Sequence, residues 1–565
     1  MLTGLESGLK HYLPVLGWFP RYQRPWFKAD ILAGLTLWAV MVPEALAYAS
    51  IAGVPAIYGL YSVPLPLLLY GILGTSRCLV VGPDSATALL SAVTIAPLVQ
   101  AGTGDYIATT ALMAALVGTV LFTAGLLKMG WLADFIPLPV MRGFIQGLVW
   151  VTILGQLPIL FGLEGAQGPF LEKLRIFLLQ FPQLDLLTSV LGLCSCALLW
   201  GLKRAWPKLP AELLTVIGAL GLVALLHLEN SSLALIGTAP TGLPSLTLPV
   251  LDLERFQALL PGALAIALLC YVESLGAAMA TATPGQPDID GHQELIAYGL
   301  ANWGSALSSG FVVAGSLSKT SVAKAAGVKT QLTAFIHAGL ILLTLGLLMP
   351  LFRLLPHTTL AAVVIMAMLN LVQWQALWRL RRIDPLAFAL AMVAFWGVLM
   401  LGVLAGISLG VGLSLLLLIQ RATHPETAIL GKLPQEEMYR DIKRHPDAAL
   451  IPGLLIFRFG SSLIFPNANY FRAQLRQALA SSPFPVQQVL IDAESINLID
   501  ITAVEMLKTV HRELTAQGIR LSFARVRDPV YQLMERDSFV KTLGPQCFYE
   551  RISEGVVAFL IQAAD

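Results

Sequence analysis

Val81-Gly82-Pro83-Asp84-Ser85-Ala86-Thr87-Ala88 and Val313-Ala314-Gly315-Ser316-Leu317-Ser318-Lys319-Thr320 decide how this chain is understood. Each interrupts an apolar region with glycine and then opens a shortened helix whose first turn is rich in hydroxyls. First-turn N–H groups lack intrahelical partners and carry a positive partial charge. Two such ends aimed at one point would hold an anion without a fixed cation. Paired interruptions in the two halves of a membrane chain are also the sequence pointer to a midplane site between inverted repeats. The same pattern has a plainer reading, in which Gly and Ser only let helices pack closely. Asp84 and Lys319 weigh toward a site, because ionisable groups at membrane depth are expensive and usually functional.

Outward from these segments the chain stays apolar. Its 565 residues are 56% hydrophobic and 12% charged, with mean hydropathy +0.74, whereas a soluble domain carries about 25% charged residues. That excess of apolar surface needs lipid around it. Charged residues thin out between Asp30 and Gln420 and recur every few residues from Arg421 onward. The expected organisation is an N-terminal cytoplasmic segment over 1–29, a transmembrane domain over 30–421, and a cytoplasmic domain with its linker over 422–565. A net charge of +2 gives no field that argues for nucleic acid. Cys78, Cys194, Cys196, Cys270 and Cys547 lack metal-ligand spacing, so neither metal nor disulfide is expected. The residues through Arg24 lack the apolar core and cleavage site of a signal peptide.

A spanning helix needs about 20 mostly apolar residues. Fourteen segments fit, some short, beginning near Asp30, Ile57, Asp84, Tyr106, Trp131, Asp185, Pro210, Ala258, Gln293, Leu317, Val328, His357, Pro385 and Gly402. With a cytoplasmic N-terminus, the inside segments hold Lys10, Arg21, Arg24, Lys28, Arg77, Lys128, Lys203, Arg204, Lys208, Lys324, Lys329, Arg379, Arg381, Arg382 and Arg421. The outside loops hold mainly Lys173, Arg175, Arg255 and Arg353. This bias places both termini in the cytoplasm and makes the chain a multi-pass inner-membrane protein. The basic clusters themselves are assigned to topology and lipid head groups rather than to a substrate path.

Glu273 is the sharpest single residue. It lies several turns inside an otherwise uncharged helix, where a bare carboxylate would cost several kcal/mol. With Lys319 nearby it is placed to exchange a proton or help bind Na⁺; the alternative is a fixed ion pair with Lys319. Glu44 follows Pro43 at a break in the first span and could line the same cavity, unless Pro43 is only a kink. His337 is expected to be a hydrogen-bonded packing residue.

After Arg421 the pattern changes to short strand-like runs, Leu454–Phe459 and Val489–Asp492, alternating with amphipathic helices. That is an α/β domain. Thr502 to Gln517 spaces Val504, Leu507, Val510 and Leu514 as a helix would, with Gly518 closing it and a strand over Ile519–Val526 following.

At these motifs the sequence resembles the sulfate permease (SulP) family of anion transporters, whose animal relatives include prestin and pendrin. The resemblance rests on Asp30-Ile31-Leu32-Ala33-Gly34, Val42-Pro43-Glu44-Ala45-Leu46-Ala47-Tyr48-Ala49, Gly53-Val54-Pro55-Ala56-Ile57-Tyr58-Gly59, Gly74-Thr75-Ser76-Arg77, Gly143-Phe144, Asp290-Gly291 with Glu294, Gly315-Ser316-Leu317-Ser318-Lys319-Thr320, and Gly327-Val328-Lys329-Thr330-Gln331. It implies an α-helical polytopic membrane protein with 14 transmembrane segments as 7+7 inverted repeats, divided into core and gate domains that move in an elevator-like way. The third and tenth spans become half-helices facing each other, so Ser85, Ala86, Ser316, Leu317 and Ser318 are the implied substrate contacts, with Glu44 and Tyr48 beside them. Glu273, Lys319 and Asp84 are the coupling-ion candidates. The C-terminal domain looks like a STAS domain, through Val489–Asp492 and Leu498–Ala503. By analogy with anti-sigma antagonists Thr502 is a regulatory phosphorylation candidate, although a Thr there is also a natural helix cap. A homodimer and a cytoplasmic regulatory partner are implied as well.

Two departures from the family pattern bear on mechanism. Many animal members have Arg where this chain has Lys319, and Lys can lose its proton when buried. Asp84 would repel a divalent anion unless it is protonated, caps the helix or is neutralised by a cation. Both favour symport. The expectation is a secondary transporter, not an enzyme, that takes up sulfate with H⁺ and needs no cofactor beyond the co-transported H⁺ or Na⁺. Na⁺-coupled bicarbonate transport, dicarboxylate or chloride transport, and a non-transporting anion sensor are the alternatives.

Overall fold

Long runs of Leu, Val, Ala and Ile punctuated by Gly and Pro make helices wherever backbone polar groups must be satisfied inside the segment, as they must in lipid. The computed structural model describes residues 13–101, 103–131, 137–165, 168–206, 209–237, 242–249, 252–282, 289–434 and 438–564. Lys10 and Lys208, two of the basic topology positions, lie outside them. The chain divides into two compact units, Met1–Ser414 and Leu415–Asp565.

Among the described residues the fourteen apolar runs are helical: α1 Trp26–Ala52, α2 Pro64–Leu73, α3 Ser85–Ile95, α4 Gly104–Leu126, α5 Leu138–Phe161, α6 Leu186–Ala205, α7 Ala211–Leu225, α8 Leu253–Thr281, α9 Gly291–Leu307, α10 Leu317–Ala325, α11 Leu332–Leu343, α12 His357–Asn370, α13 Pro385–Leu401 and α14 Val403–Thr423. A separate short helix, Ile57–Tyr61, precedes α2. Of the run expected from Trp131, residues 132–136 lie outside the described residues, and α5 begins at Leu138 with Pro139 in its first turn, where a missing N–H costs nothing. Among the described residues seven helical stretches are long and apolar enough to cross a bilayer alone. By contrast α3 has 11 residues and α10 has 9, which at about 1.5 Å per residue reach only about half of a hydrocarbon core ~30 Å thick.

The element order repeats. In each half, two helical spans lead to a three-residue strand and a half-helix. Four further spans follow, with a short amphipathic helix between the second and third of them (Phe170–Gln180, then Trp374–Ile383). The two strands, β1 Val81–Pro83 and β2 Val313–Gly315, pair antiparallel in the register Val81↔Gly315, Gly82↔Ala314, Pro83↔Val313. Their antiparallel sense is what an inversion between repeats produces.

Packing sorts the helices into two sets. In one, α9 packs on α4 and α2, α11 on α1 and α2, and α8 on α4, α3 and α10. In the other, α5 packs on α12 and α13, and α6 on α7 and α12. Glycine sets the closest approaches: a Cβ on Gly118 of α4 would come within 2.7 Å of the Gly299 carbonyl oxygen on α9, and one on Gly143 of α5 within 1.9 Å of the Ala391 oxygen on α13. Between the sets, α1 meets α7 and α12.

The second unit holds a six-stranded sheet in the order β4-β3-β5-β6-β7-β8, with β3 Thr427–Lys432, β4 Tyr439–Asp441, β5 Leu454–Phe459, β6 Gln488–Asp492, β7 Arg520–Ala524 and β8 Phe548–Tyr549. Strands β5 to β8 are parallel. Alternation along β5 sends Leu455, Phe457 and Phe459 to one face, against α15 Ala468–Ala480 and α16 Ile501–Ala516, and Leu454 and Ile456 to the other, against Ile552, Val556 and Phe559. Gly518 takes φ +71° just past α16, the left-handed conformation that closes a helix without Cβ strain.

Candidate anion-binding site

The strand pair holds the two half-helices in place. Ser316 N–H donates to the Val80 carbonyl (3.1 Å), and Val80 N–H donates to Thr320 Oγ1 (3.1 Å). Asn302 on α9 brackets Val313, accepting from its N–H and donating to its carbonyl, both at 3.0 Å. Ser274 Oγ on α8 accepts from Gly315 N–H (2.7 Å). A Cβ on Gly315 would lie 2.9 Å from Leu79 and 3.0 Å from Ser274. Gly315 therefore serves close packing, as the plainer reading has it.

At the N-terminus of α3, Asp84 is the cap, its Oδ2 accepting from Ala86 N–H at 2.9 Å. At α10, Ser316 occupies the capping position but makes no side-chain cap bond. Lys319, only 1% exposed, reaches back across the repeat boundary. Its Nζ donates to the Pro83 carbonyl at 2.7 Å, lies 3.2 Å from Glu44 Oε2, and stands 5.1 Å from the centroid of the Tyr48 ring. Pro43 within α1 has no N–H to donate one turn back, and Glu44 and Tyr48 follow it one turn apart on one face.

These groups open on a cavity of about 440 Å³. Its walls include Glu44 and Tyr48 of α1, Asp84 and Ser85, Glu273 of α8, Ser316, Leu317 and Ser318, with Lys203, Glu212 and Asn370 opposite. The lining comes from Thr36 to Tyr48 of α1, the C-terminal ends of α6 and α12, and the start of α7, and the α6, α7 and α12 ends put the opening, by helix alternation, on the side of the N-terminus. Leu317 is 48% exposed there despite being apolar.

Several expectations change. Ala86 does not line the cavity, because it is buried and its amide is spent on Asp84. The anticipated alternative of a Glu273–Lys319 ion pair is not found: the acid beside Lys319 is Glu44, and among the described residues no cation lies within ion-pair distance of Glu273, whose Oε2 has no hydrogen-bond partner. His337 is buried, but neither ring nitrogen has a hydrogen-bond partner among the described residues. The cap of α16 is Asp500, accepting from Ala503 N–H at 2.8 Å, which leaves Thr502 exposed and free of that duty. Sequence reasoning missed Lys203, assigned to topology, and Glu212; their ion pair at 2.7 Å joins the end of α6 at Ala205 to the start of α7 at Ala211. A Lys and a Glu flanking that junction were the available signal.

Residues 27–394 match the sulfate permease family and residues 445–554 the STAS domain. A probable sulfate transporter of Mycobacterium tuberculosis is 33% identical over 549 residues, covering 96% of this chain and 98% of that protein. The chloroplastic sulfate transporter 4.1 of Arabidopsis thaliana is 30% identical over 561 residues, covering 96% and 82%. The fold is that of the murine Solute Carrier 26 family member A9 anion transporter in the inward-facing state, with TM-score 0.90 at 21% identity over 99% of this chain and 95% of that one. The transmembrane domain of the cyanobacterial bicarbonate transporter BicA aligns with TM-score 0.60 at 21% identity, over 70% and 98%. This chain belongs to the sulfate permease family, a family of multi-pass membrane anion transporters rather than enzymes, and carries a C-terminal STAS domain.

Proposed function

We propose that this chain accumulates sulfate together with protons across an inner membrane, with both termini cytoplasmic. Charge balance in the cavity carries the reading. Glu44, Asp84, Glu212 and Glu273 line the cavity together with Lys203, and Lys319 stands buried behind the wall beside Glu44, so four carboxylates against two ammonium groups leave two negative charges before a dianion arrives. Bringing sulfate into that field at low dielectric is costly, and entry of protons with the anion removes the cost. Glu273, with an unpartnered oxygen, is the proton carrier in this scheme. Ser85, Ser316, Leu317 and Ser318 contact the anion through hydroxyls and the open helix end. The sulfate transporters among the relatives support the choice of anion.

Movement of α1–α4 with α8–α11 against α5–α7 with α12–α14 would carry the site across in an elevator-like step, in keeping with the two packing sets. The STAS unit serves dimerisation or regulation, with exposed Thr502 as the hydroxyl a kinase would reach. Na⁺-driven bicarbonate uptake is the second reading, favoured by the likeness of fold to BicA.

The test is uptake of labelled sulfate and bicarbonate into proteoliposomes under imposed pH or Na⁺ gradients, for wild type and Glu273→Gln. The expected result is pH-driven sulfate accumulation by wild type. The variant should exchange sulfate but no longer concentrate it. An unchanged pH dependence in the variant removes Glu273 from coupling, and accumulation driven by Na⁺ alone replaces the proton reading.

A further inference from the structure

We infer that Lys203 is a specificity-determining residue for divalent over monovalent anions, held in reserve by Glu212 until the substrate displaces it. The inference rests on the transport reading above and adds to it a residue from the opposite wall of the cavity.

The lysine on the cavity wall and the lysine buried behind it are differently committed. Lys319 is fully buried and already engaged by the Pro83 carbonyl and Glu44. Lys203 is 32% exposed in its side chain, and its ion-pair partner is Glu212, 13% exposed, at 2.7 Å. An ammonium on a flexible four-carbon stem can change partners without moving the backbone. A monovalent anion needs no more than the open end of α10 and Lys319. A dianion brings a second charge, and among the described residues Lys203 is the ammonium that lines the cavity wall itself.

Glu212 has a matching role. It is the ion-pair partner of Lys203, and both line the same cavity as Glu44, the partner of Lys319, so the pair on the α6–α7 side and the pair on the α1–α10 side border one space. Sulfate arriving at Lys203 replaces Glu212 as its counter-ion. Lys203 and Glu212 belong to the helix set that does not carry the half-helices, so this contact exists only while the cavity is open on their side.

A purely structural account is also available. Lys203 lies in the last turn of α6 and Glu212 in the first turn of α7, where cation and anion complement the helix dipoles. On that account the pair only staples the turn, and removing either partner harms the protein alike.

The two accounts differ in sign, which the full-length protein in proteoliposomes can read, with labelled sulfate as substrate and nitrate as competing monovalent anion. Lys203→Gln should raise the sulfate KM about tenfold, the scale of one partly screened charge contact, and leave inhibition by nitrate unchanged. Glu212→Gln should lower the sulfate KM, because it frees Lys203. If Lys203→Gln does not fold, the direction of the Glu212→Gln shift decides alone. Shifts of both variants in the same direction, no shift in either, or equal shifts for sulfate and nitrate overturn the inference. Failure of the wild type to take up sulfate overturns the transport reading and this inference together, and is distinguished by occurring without any substitution.

Discussion

Helices α3 and α10 occupy equivalent places in the two repeats, each short, each following a three-residue strand, yet their N-termini are chemically opposite. The end of α3 is neutralised from within, since Asp84 places a carboxylate on Ala86 N–H. The end of α10 is left open: Ser316 makes no cap bond, Leu317 and Ser318 are exposed to the cavity, and Lys319 adds a full positive charge one turn in. Lys319 also reaches the carbonyl just before Asp84, so the open end is braced against the closed one. Inverted repeats supply a symmetric scaffold, and the asymmetry between the two ends is written in three or four side chains.

Removing Lys319 should break this arrangement most severely. Lys319→Gln leaves Glu44 beside an uncharged partner in a buried position, and breaking a buried ion pair costs about 3–5 kcal/mol. Thermal unfolding in detergent should show a clear loss of stability, and sulfate transport should vanish. Adding Glu44→Gln removes the stranded charge and should recover most of the stability. Transport should stay absent in the double variant, because the positive charge at the α10 end is still missing. Recovery of transport would make Lys319 a structural counter-ion only.

The scaffold was legible in the sequence because it is made of long-range composition: apolar runs and Gly/Pro breaks survive whatever the neighbours are. The paired half-helices were equally plain. The partnerships were not. The sequence offered an ion pair of Glu273 with Lys319 as the alternative to a coupling role, but which acid meets a lysine depends on how α1 is rotated after Pro43, and the structure turns Glu44 toward it. Asp30, Thr75 and Glu294 stood out only as family motifs. In the structure they are clamps. Asp30 accepts from Lys329 N–H (2.8 Å) and Thr330 Oγ1 (2.8 Å), and Glu294 accepts from the N–H and hydroxyl of Thr75, both at 2.7 Å. Such contacts join residues more than 200 positions apart, and a single sequence carries no trace of who lies opposite.

Ser316→Asp tests the comparison from the open side, by giving α10 the cap that α3 already has. An Asp cap suits a helix N-terminus and adds up to about 1 kcal/mol of stability. It also places a negative charge beside the proposed anion position. Sulfate affinity should fall about tenfold or more, with no loss of thermal stability. Unchanged affinity would mean that the α10 end does not meet the anion.

The reverse change, Asp84→Ser, should have the smallest effect. Serine still caps a helix, so stability should move by less than about 1 kcal/mol. With one carboxylate gone from the cavity wall, sulfate affinity should rise a few-fold in a binding titration. Combining Asp84→Ser with Ser316→Asp exchanges the two caps and keeps the total charge constant. If the half-helices were interchangeable, the exchange would restore wild-type affinity. It should not, because Ser316→Asp sets a carboxylate where Leu317 and Ser318 stand exposed to the cavity, while at the α3 end Ala86 is buried and does not line it.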